Sequence, residues 1–411
     1  MRESMNADLV SPAFNADPYP FFARLRTEAP VQRVMLPGKQ PAWLVTRYDD
    51  VLMALKAKQF AKDRLNARAP DKSVRQPWVP TIVRPLMRNM LDVDAPDHTR
   101  LRTLVHKAFT PRTIEQMQGR IHRVTNQLLD SAEGTARMDL IRQYALPLPT
   151  TIIAEMLGVP VEDGHKFHRW SSAIVATNPS RWGMIKAVPN ILAFLRYIRR
   201  LVKLRRIEPR DDLVSSLVQA EEAEDRLSED ELVAMIFLLL VAGHETTVNL
   251  IGNGTLALLQ QPEQLEHLRE DPGLIGPAVE ELLRYCGPLK VATERYARED
   301  TLVNDTTIPQ GELVYLALAS ANRDERQFPD PDTLDLTRAP NRHLAFGQGI
   351  HFCLGAPLAR LEGQIALNTL LQRTQELRLA VPPHALRWQG GLVIRGVKAL
   401  PVTFASFRTS P

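Results

Sequence analysis

Apolar residues along this chain recur mainly at the three- and four-residue spacing of helices, and only briefly at the two-residue alternation of strands. Thr110-Pro111 heads one helical stretch, Arg112 to Leu129, with Thr as cap and Pro at the first helical position. Ser228 and Glu231 stand three apart as a capping box, in which each side chain satisfies the other residue's backbone N–H. They head a long apolar helix that runs to about Gly254. Strand-like pieces are short: Trp43 to Thr46, Glu312 to Leu318 and Gly391 to Ile394. The pattern predicts a mainly α fold with small β-sheets. Repeats, low-complexity tracts and Gly/Ser linkers are absent from the sequence, which predicts one domain over residues 1–411.

Composition narrows the class. With 44% hydrophobic and 24% charged residues, the chain can fill a large core. The N-terminal MRESMNADLVSPAFNADPYP has no apolar stretch behind a basic start, and the longest apolar run, Leu232 to Gly243, is shorter than a bilayer span. A cytoplasmic protein without a membrane anchor is expected. The two cysteines, Cys286 and Cys353, lie outside CxxC and CxxCH patterns, which argues against a disulfide framework, a structural zinc site and covalent haem attachment. Cys286 reads as a buried free thiol. The net charge of +4 is too mild to suggest a nucleic-acid partner, but it is uneven. Between Arg181 and Arg210, nine Lys or Arg residues face one acid, Glu208, giving a local positive field where an acidic partner could dock. Arg196, Arg199, Arg200 and Lys203 also fall at helical spacing, for which a solvated face is the simpler account.

The segment from Phe346 to Glu362, FGQGIHFCLGAPLARLE, places glycines on both sides of Cys353 and turns helical after Pro357. The sulfur therefore sits at a helix entrance, where unpaired amides and the positive helix end favour thiolate over thiol. Gly347, Gly349 and Gly355 let backbone approach a flat ligand closely. Gly347-Gln-Gly349 is no dinucleotide fingerprint, because Phe352 fills the third glycine's place. The spacing Phe-x-x-Gly-x-x-x-Cys-x-Gly, met by Phe346, Gly349, Cys353 and Gly355, resembles the haem-binding signature of the cytochrome P450 family.

That resemblance implies the cytochrome P450 fold, with haem b held non-covalently between the long central helix and the cysteine-loop helix, and the Cys353 thiolate as axial ligand. Phe346 would shield the proximal face, and Gly355 would let an amide reach the sulfur and tune the iron. In the long helix, Ala242-Gly-His-Glu-Thr-Thr247 brings polar groups into an apolar run. A Thr hydroxyl can bond the carbonyl one turn back, and with Gly243 nearby can open a local kink. The resemblance makes Glu245 and Thr246 the proton-delivering acid–alcohol pair, Ala242 and Gly243 haem contacts, and His244 structural. The family more often carries Asp at the acid position. Glu281 and Arg284 share a helix face, and resemble the family's buried Glu-x-x-Arg pair with Arg338 as third member. Haem carboxylates need cationic partners. His98, Arg102, Arg295 and His351 match the family's propionate contacts.

By family position the distal pocket comprises Leu238, Ala242, Lys290, Val291, Ala292, Val393 and Ile394. Nearly all are apolar, which suits a hydrophobic substrate held by shape. Lys290 is the exception, and with the basic stretch it suggests an anionic substrate, either a fatty acid or an acyl chain on an acidic carrier protein. The implied activity is insertion of one oxygen atom from O2 into a fatty acid, terpene, steroid or macrolide-like molecule. Flavin, nicotinamide and iron–sulfur signatures are absent from the sequence, so electrons are expected from a ferredoxin or flavodoxin with an NAD(P)H-dependent reductase, docking on Lys107, Arg112 and Arg342. AGHETTVNLIGN and LARLEGQIALNTLLQR resemble most the bacterial subgroup of macrolide hydroxylases and the biotin-pathway fatty-acyl enzyme. Three alternatives stand beside this reading: peroxide-driven or C–C-cleaving oxidation of an acyl chain, a non-catalytic haem or carrier-protein binding module, and a thiol hydrolase, for which His351 is too close to Cys353 to be presumed the base.

Overall fold

The computed structural model describes residues 8–67, 86, 88–164, 166, 170, 181–222 and 227–407, without the side chains at 107, 108, 161, 181–187, 220–222 and 407. The first helices are α1 (Pro12–Ala16), α2 (Tyr19–Glu28), α3 (Tyr48–Lys56), α4 (Asp97–Ala108), α5 (Pro111–Asp130) and α6 (Pro147–Met156). They are followed by α7 (Arg181–Ile207), α8 (Leu213–Glu222), α9 (Glu229–Leu259), α10 (Pro262–Glu270), α11 (Ile275–Cys286), α12 (Leu318–Ala321) and α13 (Ala356–Arg373). Contacts group the chain into two compact units, one of residues 1–75, 125–145 and 246–411, the other of residues 76–124 and 146–245.

The first unit holds the sheets. Strands β1 (Val31–Leu36), β2 (Gln40–Val45), β3 (Phe60–Ala61), β5 (Arg295–Ala297) and β8 (Leu313–Leu316) form one sheet in the order β1-β2-β8-β5-β3. In this unit β4 (Arg137–Asp139) pairs with Pro401–Thr403, and β6 (Thr301–Val303) with β7 (Thr306–Ile308). The β2–β8 pair is parallel, with Trp43 opposite Val314 and Val45 opposite Leu316. Both faces of the large sheet are covered. Val31, Val45, Val314 and Leu316 face one core with Val51 and Phe328, while Val34, Leu44, Leu313 and Tyr315 face another with Phe22 and Leu25. Each fully buried side chain of this kind contributes roughly 1.5–3 kcal/mol.

In the second unit, Arg120 clamps Glu155 through two bonds of 2.7 and 2.6 Å, tying α5 to α6. The buried Arg205 guanidinium reaches Asp212 and the Gly158 carbonyl at 2.6 Å. Gly158 has a positive φ of 71°, and a Cβ there would collide with the Asp212 carboxylate, so this junction requires glycine.

The helix starts follow local chemistry. The Thr113 N–H donates to the Thr110 hydroxyl, and the Ser228 and Glu231 side chains accept reciprocally at 2.9 and 3.2 Å. The helix α9 runs 31 residues to Leu259, past the expected end at Gly254. Gly254 serves packing instead: a Cβ there would stand 3.2 Å from Leu282 and 3.6 Å from Leu367. By length and composition α9 could cross a bilayer. Its Thr247 and Asn253 side chains bond to Glu362 and to the Cys286 and Arg395 carbonyls, as befits a core helix. The expected strand at Gly391–Ile394 reduces to a single bridge, Leu289 to Ile394. Gly391 sits at φ 129°, outside strand geometry.

Candidate active site

The cysteine loop is a tight turn that delivers Cys353 to the start of α13. The Cys353 N–H donates to the Phe346 carbonyl at 2.9 Å, and the Phe352 N–H to the Gly349 carbonyl at 3.0 Å. Gly347 and Gly349 have φ of 69° and 76°. A Cβ on Gly349 would lie 2.7 Å from the Leu55 carbonyl oxygen, so glycine is needed there for conformation and for room alike. Gly355 has an ordinary φ of −80°, and a Cβ there would meet the Cys353 sulfur only at an ordinary contact distance of 4.0 Å. The Arg360 guanidinium lies 4.5 Å from the Phe346 ring centroid and clamps Glu280 at 2.6 and 2.8 Å. Glu280 also meets His343, and the two partners hold its carboxyl down at about 2. The loop's aromatic face is thus braced from α11.

The two cysteines differ. Cys353 is half-buried at a helix N-terminus, whereas Cys286 is buried in the core and burial pushes its thiol up to about 12. This donor set fits a haem: one accessible sulfur at a helix entrance, small residues around it and a flat aromatic neighbour.

On α9 the face at Ala242, Gly243, Glu245 and Thr246 is open, Ala242 being exposed and the others half-buried, while Leu240, His244, Thr247 and Val248 are buried. An exposed alanine in the most apolar helix of the chain marks space for a ligand rather than protein packing. The helix runs as continuous α-helix through this segment. Burial raises the Glu245 carboxyl to about 7, close to neutrality. The His244 ring bonds the Leu240 carbonyl one turn back at 2.8 Å, a structural use of the imidazole.

Sequence reasoning passed over Glu362. It is fully buried on α13, bonds Thr247 on α9, and burial raises its carboxyl to about 8. The next residue, Gly363, abuts Leu250, with a would-be Cβ at 3.0 Å, so the cysteine helix lies directly against α9. No spacing or motif signals Glu362. Only its burial does.

The propionate candidates fall on three elements. His98 and Arg102 lie one turn apart on α4, Arg295 opens β5, and His351 sits in the single 3-10 turn Gly349–His351. Burial and the neighbouring Arg102 lower the His98 pKa, so His98 is a neutral N–H donor at neutral pH. Glu281 and Arg284 are both fully buried and joined by two 2.8 Å bonds, with Arg338 on Glu281 at 3.2 Å. Arg284 also bonds the carbonyls of Asn322, Pro331 and Thr333, so this triad knits the segment after β8 to α11.

Three of the expected pocket residues are elsewhere. The Lys290 ammonium is buried and donates to the carbonyls of Leu9 and Gly391 and to the Asn15 side chain. All three of its protons are committed, so it is an internal tether and not a substrate contact. Val291 and Ala292 follow and enter two different cores, at 1% and 9% exposure. Leu238, Val393 and Ile394 remain half-buried.

Comparison with known proteins agrees with this arrangement. The cytochrome P450 family model matches residues 36–272 and 274–393. The polyketide biosynthesis cytochrome P450 PksS of Bacillus subtilis is 44% identical over 395 residues, covering 95% of this chain and 97% of that protein. The PksS structure superposes with a TM-score of 0.90 over 98% of this chain and 100% of its own. A myxobacterial cytochrome P450, CYP267B1, in complex with myristic acid, is 45% identical with a TM-score of 0.89, covering 97% of this chain and 98% of that one. P450BioI in complex with an acyl carrier protein ligated to hexadec-9Z-enoic acid is 41% identical with a TM-score of 0.86, covering 96% and 100%. The chain belongs to the cytochrome P450 family, the mainly α monooxygenases that bind haem b through a cysteine thiolate, draw electrons from redox partners and insert oxygen into organic substrates.

Proposed function

We propose that Cys353 is the thiolate ligand of the haem iron and that the enzyme hydroxylates an aliphatic carbon of a long-chain acyl or macrolide-sized substrate. The carrying observation is the half-buried Cys353 at the N-terminus of α13, held by the Phe346 carbonyl in a tight turn that requires glycine at position 349. When bound, the haem supplies oxygen activation at its iron, aided by electron density from the thiolate. Arg102 and Arg295 supply charge, and His98 and His351 N–H donors, for its two carboxylates. Phe346, stacked by Arg360, shields the sulfur from water. Glu245, with a pKa near neutrality, passes protons to the Thr246 hydroxyl, which donates them toward the face marked by Ala242 and Gly243. Leu238, Ala242, Val393 and Ile394 exclude water and hold the substrate by shape. The test is the absorption spectrum of dithionite-reduced protein with carbon monoxide. A strongly red-shifted Soret band, lost in Cys353→Ala, is expected. A histidine-type carbonyl spectrum in wild type would overturn the assignment.

A carrier-bound acyl substrate is favoured by one observation. On α7, Arg196, Arg200 and Lys203 project into solvent, while Arg199 pairs with Asp230 at 3.2 Å. An acidic carrier protein fits this uncompensated face, and the crystal structure of P450BioI in complex with an acylated acyl carrier protein gives the precedent. Charge reversal at the three exposed positions should raise the carrier's Kd about tenfold or more and flatten its salt dependence. Unchanged binding would remove the carrier from the reading. A ferredoxin or flavodoxin, the electron donor in this reading, would use the exposed Arg112 and Arg342. The Lys107 side chain, the third residue expected there, lies outside the described residues.

A further inference from the structure

In the unit that holds the sheets, a cavity of about 520 Å3 opens between α2, the C-terminal turns of α9, the end of α11 and the segment 383–395. Its most telling group is Arg395, 6% exposed. The Arg395 Nε and Nη2 atoms donate to the carbonyls of Asn15 and Ala16 at 2.9 and 3.0 Å. Its Nη1 makes no hydrogen bond among the described residues, and no carboxylate there pairs with it. A guanidinium does not lose its proton in a protein, and a buried cation with only neutral oxygens around it is costly.

The surroundings deepen the imbalance. Lys290, which acts electrostatically on the same region, is likewise bonded only to neutral oxygens. Of the two acids in the cavity wall, Asp332 is taken by Arg323, and Asp17 is exposed at the end of α1. The Arg395 guanidinium lies 4.1 Å from the Trp388 ring centroid and 5.3 Å from that of Tyr19, so flat surface adjoins the charge. A second polar group points the same way. Asn253, 2% exposed, spends its Nδ2 on the carbonyls of Cys286 and Arg395, while its Oδ1 is buried without a partner among the described residues. Leu256 and Leu386 supply apolar wall.

We infer that this cavity is an accessory binding site, separate from the Cys353 loop and α9 face, for a planar aromatic carboxylic acid that carries an O–H or N–H donor. The carboxylate pairs with Arg395 through Nη1, the ring lies along Trp388 and Tyr19, and the donor satisfies Asn253 Oδ1. The volume accommodates a molecule of two or three fused rings.

Calorimetric titration of the haem-loaded enzyme with 6-hydroxy-2-naphthoate, whose hydroxyl is too far from its carboxylate to bond it, tests this, with the Soret band followed in parallel. Saturable binding that leaves the Soret band unmoved is expected. It should weaken at least about tenfold for 2-naphthol, which lacks the carboxylate, and by a smaller factor for 2-naphthoate, which lacks the hydroxyl. Ala257→Phe, which fills the cavity from its α9 wall, should abolish binding while the reduced carbon-monoxide spectrum stays as in wild type. Absence of saturable binding at millimolar probe, equal affinity for 2-naphthol, binding that survives Ala257→Phe, or a shift of the Soret band would each overturn the proposal. The comparison of acid with naphthol needs no variant.

Discussion

Glu245, half-buried on α9, and Glu362, buried on α13, are two carboxyls on neighbouring helices with different duties. Burial sets Glu245 at about 7, so it exchanges protons at physiological pH, as a relay must. Coupled product formation should fall as pH rises above about 7, and Glu245→Gln should lower it on the order of a hundredfold and abolish that pH dependence. Product per electron donor consumed, measured across pH, checks this. Glu362, at about 8, is protonated at neutral pH and bonds Thr247. Because its folded pKa lies above the ordinary carboxyl value, the unfolded chain releases this proton first. Stability is therefore full below about 4.5, declines as pH rises toward 8, and levels off beyond. Thermal melts of Glu362→Gln should lose that decline. A variant as pH-sensitive as wild type would show that another group sets it. Cys353 and its glycines were readable because chemistry and spacing coincide within ten residues. Lys290 was misread as a pocket cation because its acceptors at Leu9 and Asn15 lie some 275 residues away in sequence. Glu362 was missed because a carboxyl reads as surface until its packing is known.

Helices were legible where caps and periodicity agree, as at Thr110 for α5 and Ser228 for α9. Their ends were less so. Gly254 looks like a stop, yet it is a contact point for Leu282 and Leu367. Alternation at Gly391–Ile394 suggested a strand, but a positive φ at Gly391 and the bridge at Ile394 leave an irregular segment. The spacing of Glu281 and Arg284 gave the pair, while its burial and the bond to Arg338 depend on the 330–341 segment folding back onto α11. Glu281 also accepts from the Asp335 N–H and the Asn341 amide, so one carboxylate organises that whole segment. Glu281→Ala strands two guanidinium groups, and a loss of roughly 3–5 kcal/mol is expected in urea melts, with haem lost in parallel. Retention of wild-type stability would mean that α11 does not need this anchor.

At the scale of the molecule, the unit bearing the sheets is assembled from three separated stretches of sequence, and α9 passes from one unit to the other between Glu245 and Thr246. Nothing in the sequence marks this division, since two of its boundaries, between Val124 and Thr125 in α5 and between Glu245 and Thr246 in α9, fall inside helices and not at Gly/Ser linkers. The parallel pairing of β2 with β8 has a consequence for biosynthesis. The β1–β2 hairpin leaves the ribosome with the Trp43–Val45 edge unpaired, and its partner Val314–Leu316 follows 271 residues later. At about 5–20 residues per second the edge waits on the order of tens of seconds, with apolar side chains on both faces. Chains arrested before Leu313 should therefore be recovered bound to chaperones or insoluble, and full-length chains soluble, in a pelleting assay of stalled nascent chains. Slower synthesis at low temperature lengthens that wait, so yield of folded enzyme is governed by the protection of one strand edge as well as by the supply of haem.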